Sequence, residues 1–122
     1  MSAKRERFTN AIDELMANEV HVHINKVACC LTDASLEVQE DVGDQPAAWS
    51  YGGQGFFLVW QDDNTPVFVD IENENFFAIP AYDITVWHCN GGAKFTYETF
   101  TKFGFNAEWD GDKDGLVKVD LA

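Results

Sequence analysis

Residues 93–121 read AKFTYETFTKFGFNAEWDGDKDGLVKVDL, and the hydrophobic period changes partway along them. Ala93, Tyr97, Phe100 and Phe103 recur at steps of three to four, as on one face of a helix. Gly104 follows where a helix C-terminus favours a residue of positive φ. Thr, Phe and Tyr also suit strands, but the glycine and the period favour the helix. Phe105–Trp109 and Leu116–Leu121 then flank Asp-Gly-Asp-Lys-Asp-Gly, a segment of turn formers, so a hairpin should close the chain.

The same reading extends toward the N-terminus. In residues 5–17 Phe8, Ala11, Ile12, Leu15 and Met16 share a helical face. Val20, Val22 and Ile24 alternate with His21, His23 and Asn25, as in a half-buried strand. Residues 33–47 are acidic and contain Gly43 and Pro46, which reads as a loop with at most a helical turn. The continuous apolar run Phe56–Trp60 suits a strand buried on both faces. A turn at residues 61–66 leads to Val67, Val69 and Ile71, a hairpin partner. Asn73–Asn75 is a further turn, Phe76–Ile79 a short strand, and Tyr82–Cys89 is β-like. The chain of 122 residues fits one α+β domain over residues 1–122. The expected architecture is an antiparallel sheet of about five or six strands, with an N-terminal helix and a second helix before a C-terminal hairpin.

Charge narrows the function classes. The formal net charge is −13, and no Lys or Arg stands between Lys26 and Lys94. Such a field repels phosphate backbones, which argues against direct nucleic-acid binding and for basic partners. The plainer account is that the acids keep the protein soluble. No run approaches the ~18 apolar residues of a membrane span. The basic start is followed by an amphipathic segment and not an apolar one, so no secretory signal is read. Three cysteines make no disulfide framework, and reduced thiols suit the cytoplasm.

Five constellations bear on chemistry. His21, His23, Cys30 and His88 offer zinc ligands. Their spacing lacks paired cysteines two to four apart, and adjacent cysteines on a strand face opposite ways, so Cys29 and Cys30 should not both join one site. The bland alternative puts the histidines on the wet side of a strand and the cysteines in the core. Asp110, Asp112, Asp114 and Gly115 copy the start of a calcium loop, yet the twelfth position is Leu121 and a turn explains them as well. Gly52-Gly53-Gln54-Gly55 lacks the lysine and hydroxyl of a phosphate loop. A cysteine–histidine nucleophile lacks both an orienting partner and a basic neighbourhood, so no enzyme and no cofactor are expected. Trp49, Tyr51, Trp60, Trp87 and Trp109 would serve either a core or an interface.

Phe103-Gly104, Phe105–Glu108, Trp109-Asp110-Gly111 and Leu116–Val119 resemble the C-terminal unit of a family of small uncharacterised bacterial proteins. Cys29-Cys30 and Trp60-Gln61-Asp62 are similar to features near its front, although Thr32 and Asp33 stand where that family has a third cysteine. The resemblance covers about half the chain in pieces and implies a fold outline without an activity.

The functional expectation is a non-enzymatic, acidic protein-binding domain. It would occupy a basic site on a nucleic-acid-handling enzyme or a toxin, mimicking the charge of nucleic acid, as phage counter-defence and immunity proteins do. The residues singled out for binding are Asp41, Asp44, Trp49, Tyr51, Asp62, Asp63, Glu72 and Glu74. The alternative is a metal-binding or metal-sensing domain built on the His/Cys set.

Overall fold

The structure is a computed structural model, and it describes residues 2–51, 56–70, 78–112 and 114–122. The element order is α1 (Lys4–Ala17), β1 (His21–Lys26), α2 (Leu31–Val42), β2 (Ala47–Tyr51), β3 (Phe56–Asp62), β4 (Thr65–Asp70), β5 (Ala78–Pro80), β6 (Asp83–Cys89), α3 (Gly92–Lys102), β7 (Ala107–Glu108) and β8 (Val117–Asp120). A five-stranded sheet runs β1-β2-β6-β8-β7, and a three-stranded antiparallel sheet runs β3-β4-β5. The α+β class, the N-terminal helix and the helix before the C-terminal hairpin all hold. The main sheet is antiparallel except at one edge, where β1 pairs with β2 in parallel. That parallel pair needs a crossover, and α2 supplies it. Residues 31–42 are therefore a helix and not the loop expected from their acidity.

Helix α3 ends as its sequence requires. The Gly104 amide donates to Thr101 O and the Phe105 amide to Phe100 O. With Gly104 at φ +89° this is a Schellman closure. The rings of Phe100 and Phe105 meet at 5.7 Å across it. Helix α1 closes in the same way without a glycine: Glu19 donates to Met16 O, Val20 to Leu15 O, and Glu19 itself sits at φ +64°.

Two layers flank the main sheet. On one face α1 and α3 bury Phe8, Ala11, Leu15, Phe100 and Phe105 against Ala48, Ile84, Val86, Val117 and Val119. Leu58, Trp60 and Phe68 of the small sheet join this core. On the other face α2 packs Val38 on Ala47 and Trp49, with Val42, Trp87 and Cys89 beside them. The run Phe56–Trp60 is not buried on both faces. Phe57 and Val59 are 36% and 40% exposed, because β3 belongs to the small sheet, which has a layer on its Leu58/Trp60 side. Residues 71–75 of the expected strand and turn lie outside the described residues, as does the start of the short strand at 76–77.

Candidate functional site

Strand register decides which side chains share a face, since residues paired directly across a ladder point the same way. His21 pairs with Ala47 and His23 with Trp49. Ala47 pairs with Cys89 and Trp49 with Trp87. These residues stand on the α2 face. Ala48 pairs with both Val22 and His88, so His88 stands on the opposite face, where its Nε2 lies 2.5 Å from Gly115 O. The sheet thus separates His88 from His21 and His23, and the expected ligand set does not assemble. His23 has its pKa lowered, first by burial and then by the nearby charges of Lys26 and His21.

The α2 face is where acidity collects. Along α2, Ala34 and Val38 are buried, while Asp33, Glu37, Glu40 and Asp41 are exposed, and Asp44 follows just past the helix end. The helix has no basic residue in its last turn. Beyond α2, which covers Trp87 and Cys89, the same sheet face continues over the start of β6 and over β8 and β7. Alternation from Trp87 puts Asp83 on it, and Asp83 pairs with Asp120, Thr85 with Lys118, and Lys118 with Glu108. Asp83, Glu108, Lys118 and Asp120 line a groove of about 450 Å³ together with Tyr82 and Asn106. Tyr82 is 65% exposed.

Cations are distributed the opposite way. Lys4, Arg5, Arg7, Lys94 and Lys102 all belong to α1 and α3, and of these Lys94 reaches the sheet edge, where it lines a cavity with Gln39 of α2 and Asp114. Arg7 is held by Phe103 O at 3.1 Å and by the face of Phe105 at 4.9 Å. The two lysines on the α2 side already face carboxylates: Lys26 pairs with Glu37 at 3.2 Å and Lys118 with Asp83 at 3.7 Å. Among the described residues, the α2 side therefore presents carboxylates with no cation free of an acidic neighbour.

The residues singled out for binding separate into groups. Asp41 and Asp44 belong to this face. Trp49 is 1% exposed and donates its Nε1–H to Ser35 Oγ at 3.2 Å, so it is a core residue that seats α2 on the sheet, not an interface anchor. Tyr51 is half-buried and donates its hydroxyl to Ala28 O at 3.1 Å. Asp62 and Asp63 lie in the β3–β4 turn against the start of α1, away from the α2 face. There the Lys4 amide donates to Asn64 Oδ1 at 3.0 Å and the Arg5 amide to Asp63 O at 2.8 Å. This turn caps α1, whose own Ala3 offers no side-chain cap. Asp62 Oδ1 accepts the Asn64 amide at 2.8 Å, and that bond leads the lowering of its pKa. Glu72, Glu74 and the segment Gly52–Gly55 lie outside the described residues.

Asp110 and Asp112 behave as turn residues. Asp110 Oδ1 accepts the Asp112 amide at 2.8 Å, and Asp112 Oδ1 accepts the Asp114 amide at 3.0 Å. Leu121 is in the core. One cluster was missed. Cys29 and Cys30 lie in a bend and not in a strand, so their side chains converge, with Sγ atoms 4.0 Å apart. The Cys29 thiol also donates to Asp33 Oδ2 at 2.6 Å. That carboxylate, and after it Cys30, pushes the Cys29 thiol up to about 11. The only hint in the sequence is the Cys-Cys-x-x-Asp spacing at a helix start, and that start is hidden by the acidic composition of the helix.

No helix of the described residues is long and apolar enough to cross a membrane. No protein-family model, no curated protein and no solved structure matches this chain.

Proposed function

We propose that the protein is a non-enzymatic binding domain that docks its α2 face onto a basic site of a partner protein, acting as an inhibitor of a nucleic-acid-handling enzyme or a toxin. The observation that supports this is the segregation of charge across the main sheet. Exposed carboxylates line α2 and the adjoining groove, and five of the eight Lys and Arg sit on α1 and α3.

Helix energetics support the same reading. Asp33, Glu37 and Asp41 repeat at four-residue steps, and like charges so placed weaken a helix by about 0.2–0.5 kcal/mol per pair. Glu40 and Asp41 also meet the negative end of the helix dipole. Residues that work against local stability in this way are expected at functional surfaces. An acidic face accelerates encounter with a basic target and disfavours acidic ones. Tyr82 adds a solvent-facing aromatic ring to the lining of the groove. The free thiols of Cys29, Cys30 and Cys89 support a reducing compartment such as the cytoplasm.

The test compares two charge-neutral variants of equal net charge. One carries Glu40→Gln, Asp41→Asn and Asp44→Asn; the other carries Glu6→Gln, Asp62→Asn and Asp63→Asn. Basic proteins captured from the native host at low salt should be lost by the first variant and kept by the second. Capture should also fall as salt rises. Equal losses would reduce the effect to bulk charge, and no loss in either would end the proposal.

A further inference from the structure

We propose that Cys29, Cys30 and Asp33 form a binding site for a thiophilic divalent cation of the zinc class, with two sulfurs and one carboxylate oxygen from the chain and a fourth position open to solvent or an external ligand. This site shares Asp33 with the acidic face of α2, but neither cysteine enters the docking reading, and the residues neutralised to test that reading, Glu40, Asp41 and Asp44, are not ligands here.

Among the described residues these three are the only group of His, Cys, Asp and Glu whose ligand atoms all lie within 4.8 Å of one another. Tetrahedral zinc with sulfur at about 2.3 Å places two ligand sulfurs about 3.8 Å apart. The Sγ atoms of Cys29 and Cys30 are 4.0 Å apart without rearrangement. The Asp33 carboxylate must open from its 2.6 Å contact with Cys29 to about 3.5 Å, a side-chain rotation for an exposed residue.

The bond between the Cys29 thiol and Asp33 marks where the cation goes: a proton now bridges two atoms that a metal would bridge instead. Binding replaces two thiol protons by one dication, both protons leave to solvent, and the bound group carries one net negative charge. That charge lies at the N-terminus of the twelve-residue helix α2, whose dipole favours it.

The local structure holds the ligands without using them. Cys30 is the N-cap residue of α2 but makes no side-chain capping bond, and Asp33 sits three residues on. A capping role therefore does not account for the pair. Tyr51 of β2 donates to Ala28 O at 3.1 Å and pins the backbone just before the two cysteines. All three ligands are exposed, so a cation reaches them without unfolding the chain.

The experiment titrates the reduced, tag-free protein with Co²⁺, reading the visible tetrahedral bands and the near-ultraviolet thiolate charge-transfer band, and then displaces Co²⁺ with Zn²⁺. One equivalent should bind, with about two protons released per ion near neutral pH, as expected for ligands that bind metal only when deprotonated. Cys29→Ser and Cys30→Ser should each abolish the charge-transfer signal of a two-sulfur site. Asp33→Asn, which removes a ligand, should weaken binding by at least the roughly ten- to a hundred-fold that loss of an outer-shell partner costs. Cys89→Ser and the double variant His21→Gln/His23→Gln should bind as the parent does. Far-ultraviolet circular dichroism of each variant separates loss of the site from loss of the fold. Absence of the bands in the parent, their survival in Cys30→Ser, or their loss in His21→Gln/His23→Gln would each overturn the assignment.

Discussion

Glu19 and Gly92 are two residues that meet opposite backbone limits. Glu19 closes α1 at φ +64°, a region that costs an L-residue roughly 1–2 kcal/mol. Its side chain is exposed, so little else is lost on removal. Glu19→Gly should raise stability by about 0.5–1 kcal/mol after the added freedom of the unfolded chain is set against the relieved strain. The urea midpoint should rise with an unchanged slope. Gly92 has the opposite constraint. A Cβ there would stand 2.1 Å from Ala47 O, a backbone atom of β2. Helix α3 approaches the sheet through that missing side chain. Gly92→Ala should destabilise by about 3 kcal/mol, at the upper end of overpacking costs, seen as a lower midpoint and faster proteolysis. Stability equal to the parent would mean that the close approach is not needed.

At the scale of the element, α2 carries the conflict between folding and binding. It buries only Ala34 and Val38 completely, and Trp49 and Ser35 fasten it to the sheet. Asp41 lies in its last turn, where a cation is favoured by about 0.3–1 kcal/mol. A lysine there would also follow Glu37 by four residues, the better orientation for such a pair. Asp41→Lys should therefore stabilise the fold by about 0.5 kcal/mol while lowering the association rate with a basic partner. Thermal unfolding and stopped-flow binding read the two effects separately. A variant that gained stability and kept its association rate would remove α2 from the docking face. This opposition between stability and use is common where a site breaks local rules.

For the whole molecule the decisive quantity is a net charge of −13, with the carboxylates of α2 and the adjoining groove gathered on one side of the main sheet. Self-repulsion of this size opposes the compact state. Raising NaCl from ~10 to ~150 mM shortens the Debye length from ~30 to ~8 Å. The urea midpoint should rise across that range and part of the gain should disappear in the Glu40→Gln/Asp41→Asn/Asp44→Asn variant. A midpoint that fell with salt would show that the ion pairs between elements, such as Lys102 of α3 with Glu14 of α1 or Lys26 of β1 with Glu37 of α2, outweigh the repulsion.

Local signals alone determined α1, β1, the β3–β4 hairpin, α3 and the C-terminal hairpin. Apolar period and the positive φ allowed at Gly104 are properties of neighbouring residues, and they survive whatever the rest of the chain does. The excess of carboxylates was equally plain. Tertiary structure decided the rest. Residues 31–42 are helical because a parallel β1–β2 pair needs a crossover with Val38 beneath it, although their acidic repeat offers little apolar stripe. Trp49 is core because that helix covers it. His88 parts from His21 and His23 because the register fixes opposite faces. Asp62 and Asp63 serve a helix start because Asn64 caps Lys4 from sixty residues away. Cys29 and Cys30 converge because the bend before α2 removes the strand alternation that would have parted them. Each of these depends on which segments become neighbours, and side-chain direction, on which every candidate site rests, follows only from that.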